Sequence, residues 1–210
     1  MKLVVVSAGL SVPSSTRLLA DRLAAAVDRK ADADVDIQVV ELRELAVEIA
    51  HHFTNGFPGR KLADALDAAT RADGLVVVTP VFSASYSGLF KSFFDVLEKD
   101  ALAGKPVLVA ATGGSARHSL VLEHAMRPLF AYLRAVVVPT AVYAASEDWG
   151  AEGLPERIER AAGELAALMA GLSARLPAPR PGSEGFESDS FVSDGFEVVP
   201  FEQQLNALRP

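Results

Sequence analysis

Residues 7–17, Ser7-Ala8-Gly9-Leu10-Ser11-Val12-Pro13-Ser14-Ser15-Thr16-Arg17, place five hydroxyls within ten positions and end on an arginine. They follow the apolar run Leu3–Val6 and lead into a helical pattern that begins near Leu18. A strand, a hydroxyl-rich loop and a helix N-terminus together make an anion site, because the first N–H groups of a helix lack partners and its dipole favours negative charge. The hydroxyls of Ser14, Ser15 and Thr16 can donate to phosphate oxygens, and Arg17 adds charge-assisted bonds. An ordinary βα turn would need only one capping hydroxyl. The loop has neither the three-glycine dinucleotide fingerprint nor a Walker lysine, so it reads as a site for a terminal monophosphate rather than a pyrophosphate.

Two further loops carry the same kind of chemistry. Thr79-Pro80-Val81-Phe82-Ser83-Ala84-Ser85-Tyr86-Ser87-Gly88 is rich in small residues and holds two aromatics. Such a loop can lay backbone amides against a flat heteroaromatic ring while Phe82 or Tyr86 packs beside it. A phospho-accepting aspartate is absent from this strand end. The third loop is Ala111-Thr112-Gly113-Gly114-Ser115, followed by Arg117 and His118. Its adjacent glycines let backbone approach a ligand closely, and Ser115 is placed to cap a following helix. His51 and His52 are adjacent with no carboxylate cluster, so no metal site is expected. Ser115 and His118 lie on one helical turn, and no Ser-His-Asp arrangement emerges.

These loops must be positioned by alternating strands and helices. Leu3–Val6, Leu75–Thr79 and Val107–Ala111 read as fully buried strands, and Val35–Leu42 as a half-buried one. Ala135–Val142 is a strand interrupted by Pro139, which points to a sheet edge. Apolar stripes at helical spacing begin near Leu18, Leu62, Leu89, Leu120 and Leu154. Five strands alternating with five helices predict an α/β three-layer sandwich around a five-stranded parallel sheet, flavodoxin-like in its order 2-1-3-4-5. The ligand is then expected at the carboxyl ends of strands one, three and four. Pro128, inside the fourth helical pattern, cannot donate to the carbonyl of His124 and predicts a kink there.

Composition narrows the class. The 210-residue chain is half apolar, carries a formal charge of −7 and contains no cysteine. Disulfides and thiolate chemistry are excluded, and nothing in the charge favours nucleic acid or an anionic membrane. Without a signal-peptide pattern or an apolar run of membrane-spanning length, a cytoplasmic protein is expected. The periodic pattern predicts a domain over 1–176. Residues 177–210 read as an extended C-terminal arm, with Phe186, Phe191, Phe196 and Phe201 evenly spaced among acids.

The combination of Pro13-Ser14-Ser15-Thr16-Arg17, of Thr79-Pro80-Val81-Phe82 with Ser85 and Gly88-Leu89-Phe90-Lys91, and of Ala111-Thr112-Gly113-Gly114-Ser115 with His118 resembles the NADPH-dependent FMN reductase family. Within it, the chain is most similar to the reductases that feed two-component alkanesulfonate and luciferase-like monooxygenases. The resemblance implies that Ser14, Ser15, Thr16 and Arg17 hold the FMN phosphate. Pro80, Val81, Phe82, Ser83 and Ser85 would line the isoalloxazine edge, with Phe82 where the family usually has Tyr. Gly113, Gly114 and Ser115 would contact the pyrimidine side, and the helix after Gly114 would face charge on the reduced ring. It further implies a homodimer or homotetramer, with a π-type insertion at His124 and Pro128 packed between subunits. Hydride transfer from NADPH to FMN requires stacked rings and excluded water rather than a side-chain acid or base. Arg17, Arg60 and Arg117 are the candidate cations for the NADPH 2′-phosphate. Two other readings remain at this point: an FMN-retaining reductase of quinones, azo dyes or metal oxyanions, and a flavodoxin-type electron carrier.

Overall fold

The computed structural model describes residues 1–173, so the arm expected over 177–210 lies outside the described residues. Strand β1 (Lys2–Ser7) pairs in parallel with β2 (Asp36–Glu41) on one side and β3 (Gly74–Phe82) on the other. Strand β3 continues in parallel to β5 (Pro106–Gly113). A two-residue strand, β4 (Ser85–Tyr86), folds back on the end of β3. The far edge consists of β6 (Val136–Val137) and β7 (Val142–Ala145), both parallel to β5. The order β2-β1-β3-β5-β6 is the expected 2-1-3-4-5, with the fifth position split in two.

Alternation along each strand divides the interior into two cores. Leu3 and Val5 of β1 and Val76 and Val78 of β3 pack with α1 (Ser15–Lys30) and α6 (Gly153–Ser173). Val4, Val6 and Val77 pack on the other side with α2 (Leu42–Asn55), α3 (Arg60–Arg71), α4 (Gly88–Asp95) and α5 (Arg127–Tyr132). Sheets buried on both faces need such continuous apolar strands. The second core is anchored by α4 and α5, where Phe94 meets Phe90 at 4.8 Å and Phe130 edge-on at 4.9 Å between ring centroids.

Two elements differ from the sequence expectation. Helix α2 was not expected: the strand pattern was extended to Leu42, which is the first residue of that helix. Its signal was the stripe Leu42, Leu45 and Ile49, closed by Gly56 in the left-handed conformation (φ 76°), whose N–H donates to the His52 carbonyl. The strand predicted over Ala135–Val142 is broken, and its second piece runs on to Ala145. Pro139 cannot donate to a ladder, and side chains take over there. The Glu164 carboxylate accepts from the Thr140 N–H and hydroxyl, both at 2.7 Å, and Arg127 donates to the carbonyls of Val138 and Pro139 at 2.8 and 2.6 Å.

The stretch before Pro128 carries the π-type insertion that the resemblance implies. Residues Leu122–Met126 form a π-helical turn, the wider alternative to a simple proline kink, and the Arg127 N–H reaches back to the Leu122 carbonyl. A proline deprives the carbonyl four residues earlier of its donor, and a widened turn absorbs that loss by shifting the register. Both His124 and Pro128 are exposed.

Phe130 is fully buried beside this wide turn. Phe130→Ala should lower the unfolding free energy by about 3–5 kcal/mol, read from the denaturation midpoint with an unchanged slope.

Candidate active site

The loops that follow β1, β3 and β5 meet at one edge of the sheet. They surround a cleft of about 370 Å³, lined by Leu10, Ser11, Ser15, Thr16, Pro80, Val81, Phe82, Thr112, Gly113, Gly114 and Ser146. This lies within the range of small-molecule sites, about 300–1,000 Å³.

The first loop folds onto itself before α1. Ser14 caps the helix: its Oγ accepts from the Arg17 N–H at 3.2 Å, and its carbonyl accepts from Leu18. A Cβ at Gly9 would stand 2.1 Å from that Oγ, so the cap requires glycine there. Ser15 is exposed at the cleft, and the buried Thr16 hydroxyl lies 2.8 Å from the Thr112 hydroxyl, which ties the first loop to the third. The Arg17 side chain is directed elsewhere. Its guanidinium pairs with Asp21 at 2.8 Å and with Glu41, and the hydrogen bond to Asp21 is the main influence raising its pKa against desolvation. Arg17 is absent from the cleft lining.

In the second loop, the buried Thr79 hydroxyl accepts from the Ser87 N–H at 3.0 Å and donates to the Pro80 carbonyl at 3.0 Å. Ser87 Oγ in turn accepts from the Phe90 N–H and caps α4. Between these fixed points β3 turns into β4 through Ser83 and Ala84, both with positive φ (48° and 67°). A two-residue hairpin loop with this twist ordinarily takes Asn-Gly, so two L-residues make the tip strained. Phe82 remains 48% exposed at the cleft, whereas Tyr86 packs toward Phe90 at 5.8 Å between ring centroids. Ser83 lies exposed at the tip and Ser85 pairs with Phe82; neither lines the cleft.

The third loop does not run into the expected long helix. Ser115 instead precedes a single 3₁₀ turn, Ala116–His118, and its side chain makes no cap there. No long-helix dipole therefore faces Gly114, and individual N–H groups are the donors available there. The loop is held by Tyr143, which the sequence did not single out because the predicted strand ends at Val142. Its hydroxyl donates to the Ser115 carbonyl at 2.8 Å, and a Cβ at Gly113 would lie 2.1 Å from that hydroxyl oxygen. Ser146, just past β7, was also missed. The signal for both was positional, since the carboxyl end of the neighbouring strand borders such a site.

Burial first, then the nearby Asp148 and Glu147 carboxylates, pushes the Tyr143 phenol above its usual range. A phenol pKa raised by folding contributes stability that is fully present below about pH 10. That contribution is lost as pH rises through the raised value. Tyr143→Phe should therefore flatten the alkaline fall of the thermal midpoint. It should also weaken binding of the FMN that the resemblance implies by about threefold to tenfold through the released loop, measured by fluorescence titration.

Residues 1–150 match the NADPH-dependent FMN reductase family. The chain is 38% identical over 180 residues to an FMN reductase (NADPH) of Pseudomonas aeruginosa, covering 83% of this chain and 96% of the relative. It is 37% identical over 174 residues to an NADH-dependent FMN reductase of Pseudomonas fluorescens, covering 80% and 92%. A solved oxidoreductase from Corynebacterium diphtheriae superposes with a TM-score of 0.79 at 50% identity, covering 81% of this chain and 97% of that one. The chain belongs to the NADPH-dependent FMN reductase family.

Proposed function

We propose that this chain is an NAD(P)H:FMN oxidoreductase that reduces FMN with NADPH and releases the reduced flavin to a partner flavin-dependent monooxygenase. The observation that carries the reading is the convergence of three loops on one cleft, with a hydroxyl-rich helix start at one end and paired glycines at the other. The donor set suits FMN. Gly9 and Gly113 make room for the Ser14 and Tyr143 oxygens that hold the first and third loops, and a Cβ at Gly114 would meet nothing within 4 Å, so backbone at that point is open to a flat ring.

In this reading Ser14, Ser15 and Thr16, with the first N–H groups of α1, hold the phosphate, while Arg17 steadies the helix start through Asp21 and Glu41. Pro80, Val81 and Phe82 line the ring edge, with Ser83 and Ser85 shaping the hairpin that carries them. Gly113, Gly114 and Ser115 offer backbone to the pyrimidine side. When bound, FMN supplies the hydride-accepting ring. The chain's own part is to orient two substrates at contact distance and exclude water between them. No side chain in the cleft lining is an acid or a base, which suits a transfer that moves no proton through the protein.

Among the described residues no helix is long and apolar enough to cross a membrane. The wide turn at Leu122–Met126 is the proposed subunit contact of a homo-oligomer. It is supported by Leu120 and Tyr132, apolar side chains that are 61% and 84% exposed on either side of it. The residues 177–210 are proposed as a separate arm that serves partner coupling.

Purified protein should oxidise NADPH steadily only when FMN is added. A firmly bound flavin with quinone turnover would favour an FMN-retaining reductase instead, and the absence of steady turnover a carrier. A variant ending at Pro177 should keep isolated turnover and show weaker coupling to the monooxygenase. Deleting His124, which removes the extra residue of the wide turn, should change the assembly mass by light scattering; unchanged mass and flavin transfer would remove that part of the reading.

A further inference from the structure

We infer that Thr112 is a positioning residue: its buried hydroxyl donates to Thr16 and turns the Thr16 proton toward the flavin phosphate. The strand that leads into the ring end of the cleft thereby sets the preference for a phosphorylated flavin. The inference rests on the function proposed above, in which Thr16 is a phosphate donor. Both side chains line the cleft and both are buried, Thr16 to 2% and Thr112 to 4% exposure. Their oxygens lie 2.8 Å apart although the residues stand 96 positions apart in the chain. Among the described residues neither hydroxyl makes another hydrogen bond. The buried Thr79 hydroxyl differs, since it donates to the Pro80 carbonyl and accepts from the Ser87 N–H.

Two hydroxyls carry two protons, and their mutual bond uses only one, so one O–H is left over in the cleft floor. The surroundings decide which oxygen keeps it. Thr112 is fixed within β5, opposite Pro80 of β3 and Ala144 of β7. Thr16 sits in the first turn of α1, where the Ser14 side chain caps only the Arg17 N–H. Among the described residues the Ser15 and Thr16 N–H groups have no acceptor, and donors of this kind are what a phosphate uses. Phosphate oxygens only accept. A Thr16 hydroxyl that gives its proton to phosphate has lone pairs alone to offer its neighbour, so the bond between the threonines must then run from Thr112 to Thr16. The order from Thr112 through Thr16 to phosphate strengthens the outer donor, because each hydroxyl is polarised by the one behind it. Gly113 and Gly114 follow Thr112 directly, so the same strand end carries the backbone proposed to meet the ring.

The test is fluorescence titration of the full-length protein with FMN and with riboflavin, which has the same ring and no phosphate. The proteins compared are the wild type, Thr112→Val, Thr112→Ser, Thr16→Val and the double variant Thr16→Val with Thr112→Val. Both flavins titrate the same folded fraction, so the ratio of their dissociation constants does not depend on how much protein is folded. Valine keeps the β-branched shape that suits a strand and removes the hydroxyl. Thr112→Val should therefore shrink the preference for FMN over riboflavin by about threefold to tenfold, and Thr112→Ser should retain it. The double variant should match Thr16→Val, because the effect of Thr112 passes through that one hydroxyl. If Thr112→Val does not fold, Thr112→Ala removes the same hydroxyl and is read in the same way. The inference is overturned if Thr112→Val weakens both flavins alike, as a residue that only supports the fold would. It also falls if the double variant loses more of the preference than Thr16→Val, or if the wild type binds FMN no better than riboflavin. Steady FMN-dependent oxidation of NADPH by the wild type in any of those cases leaves the proposed function standing, and its absence removes that function whatever the ratios show.

Discussion

Parallel strands buried on both faces cannot be joined by hairpins; each must return through a crossover that lies on the sheet. That constraint governs this molecule. It sends Leu3 and Val5 of β1 into one core and Val4 and Val6 into the other, so both helical layers are bound to the same strands. Each buried side chain of this size contributes about 1.5–3 kcal/mol, and a shift of one residue would turn every one of them to the wrong layer. The same register, with Ser7 opposite Val78 and Pro80 opposite Thr112, makes β1, β3 and β5 end almost level. The cleft is where their loops must emerge.

Level strand ends bring loops together but do not hold them still. Three polar contacts do that: two tie a loop to another element, and one closes the second loop on itself. Thr16 meets Thr112 across the cleft floor, Thr79 receives the N–H that begins the α4 cap, and Tyr143 reaches from the fifth strand position to the Ser115 carbonyl. A single neutral hydrogen bond of this kind nets only about 1 kcal/mol, yet leaving one buried partner unsatisfied costs about 1–3 kcal/mol. These contacts therefore act less as sources of stability than as penalties against any other loop arrangement. The glycines complete the fit: Gly9 gives space to the Ser14 oxygen that caps α1, and Gly113 to the Tyr143 oxygen that holds Ser115.

How far these features could be read from sequence depends on their range. Buried strands are legible because two-sided burial writes itself as uninterrupted Val and Leu, as in Leu3–Val6 and Leu75–Val78, and helix stripes are legible where they run long, as in α1 and α6. Helix α2 was hidden because it starts on the residue after β2, so the strand's alternation ran straight into Leu42. The cleft loops were found by composition, since hydroxyls and glycines cluster there for local reasons. Arg17 illustrates the limit. Its type and spacing suit an anion, but Glu41 is supplied by β2, 24 positions away, and only the fold reveals that pairing. Tyr143 escaped for the same reason: a lone tyrosine near a strand end acquires meaning only from the Ser115 carbonyl it meets.

The fate of Arg17 bears on how firmly a phosphate is held. A charged guanidinium in direct contact would contribute about 1.5–3 kcal/mol per hydrogen bond, while neutral hydroxyl and backbone donors contribute about 0.5–1.5 kcal/mol each. With Arg17 committed to Asp21 and Glu41, the loop presents Ser15, Thr16 and the first turn of α1, all neutral donors, to the cleft. The opposite rim offers single N–H groups of Gly113 and Gly114 rather than a helix end, and the strained Ser83–Ala84 tip carries a half-exposed Phe82 over the opening. On the site proposed above, each of these features would lower the grip on a bound flavin. A protein that keeps its flavin gains nothing from such an arrangement. One that must release reduced FMN in every cycle needs orientation while the flavin is bound and only a modest barrier to its departure, and on the function proposed above the ion pairing of Arg17 divides those two requirements.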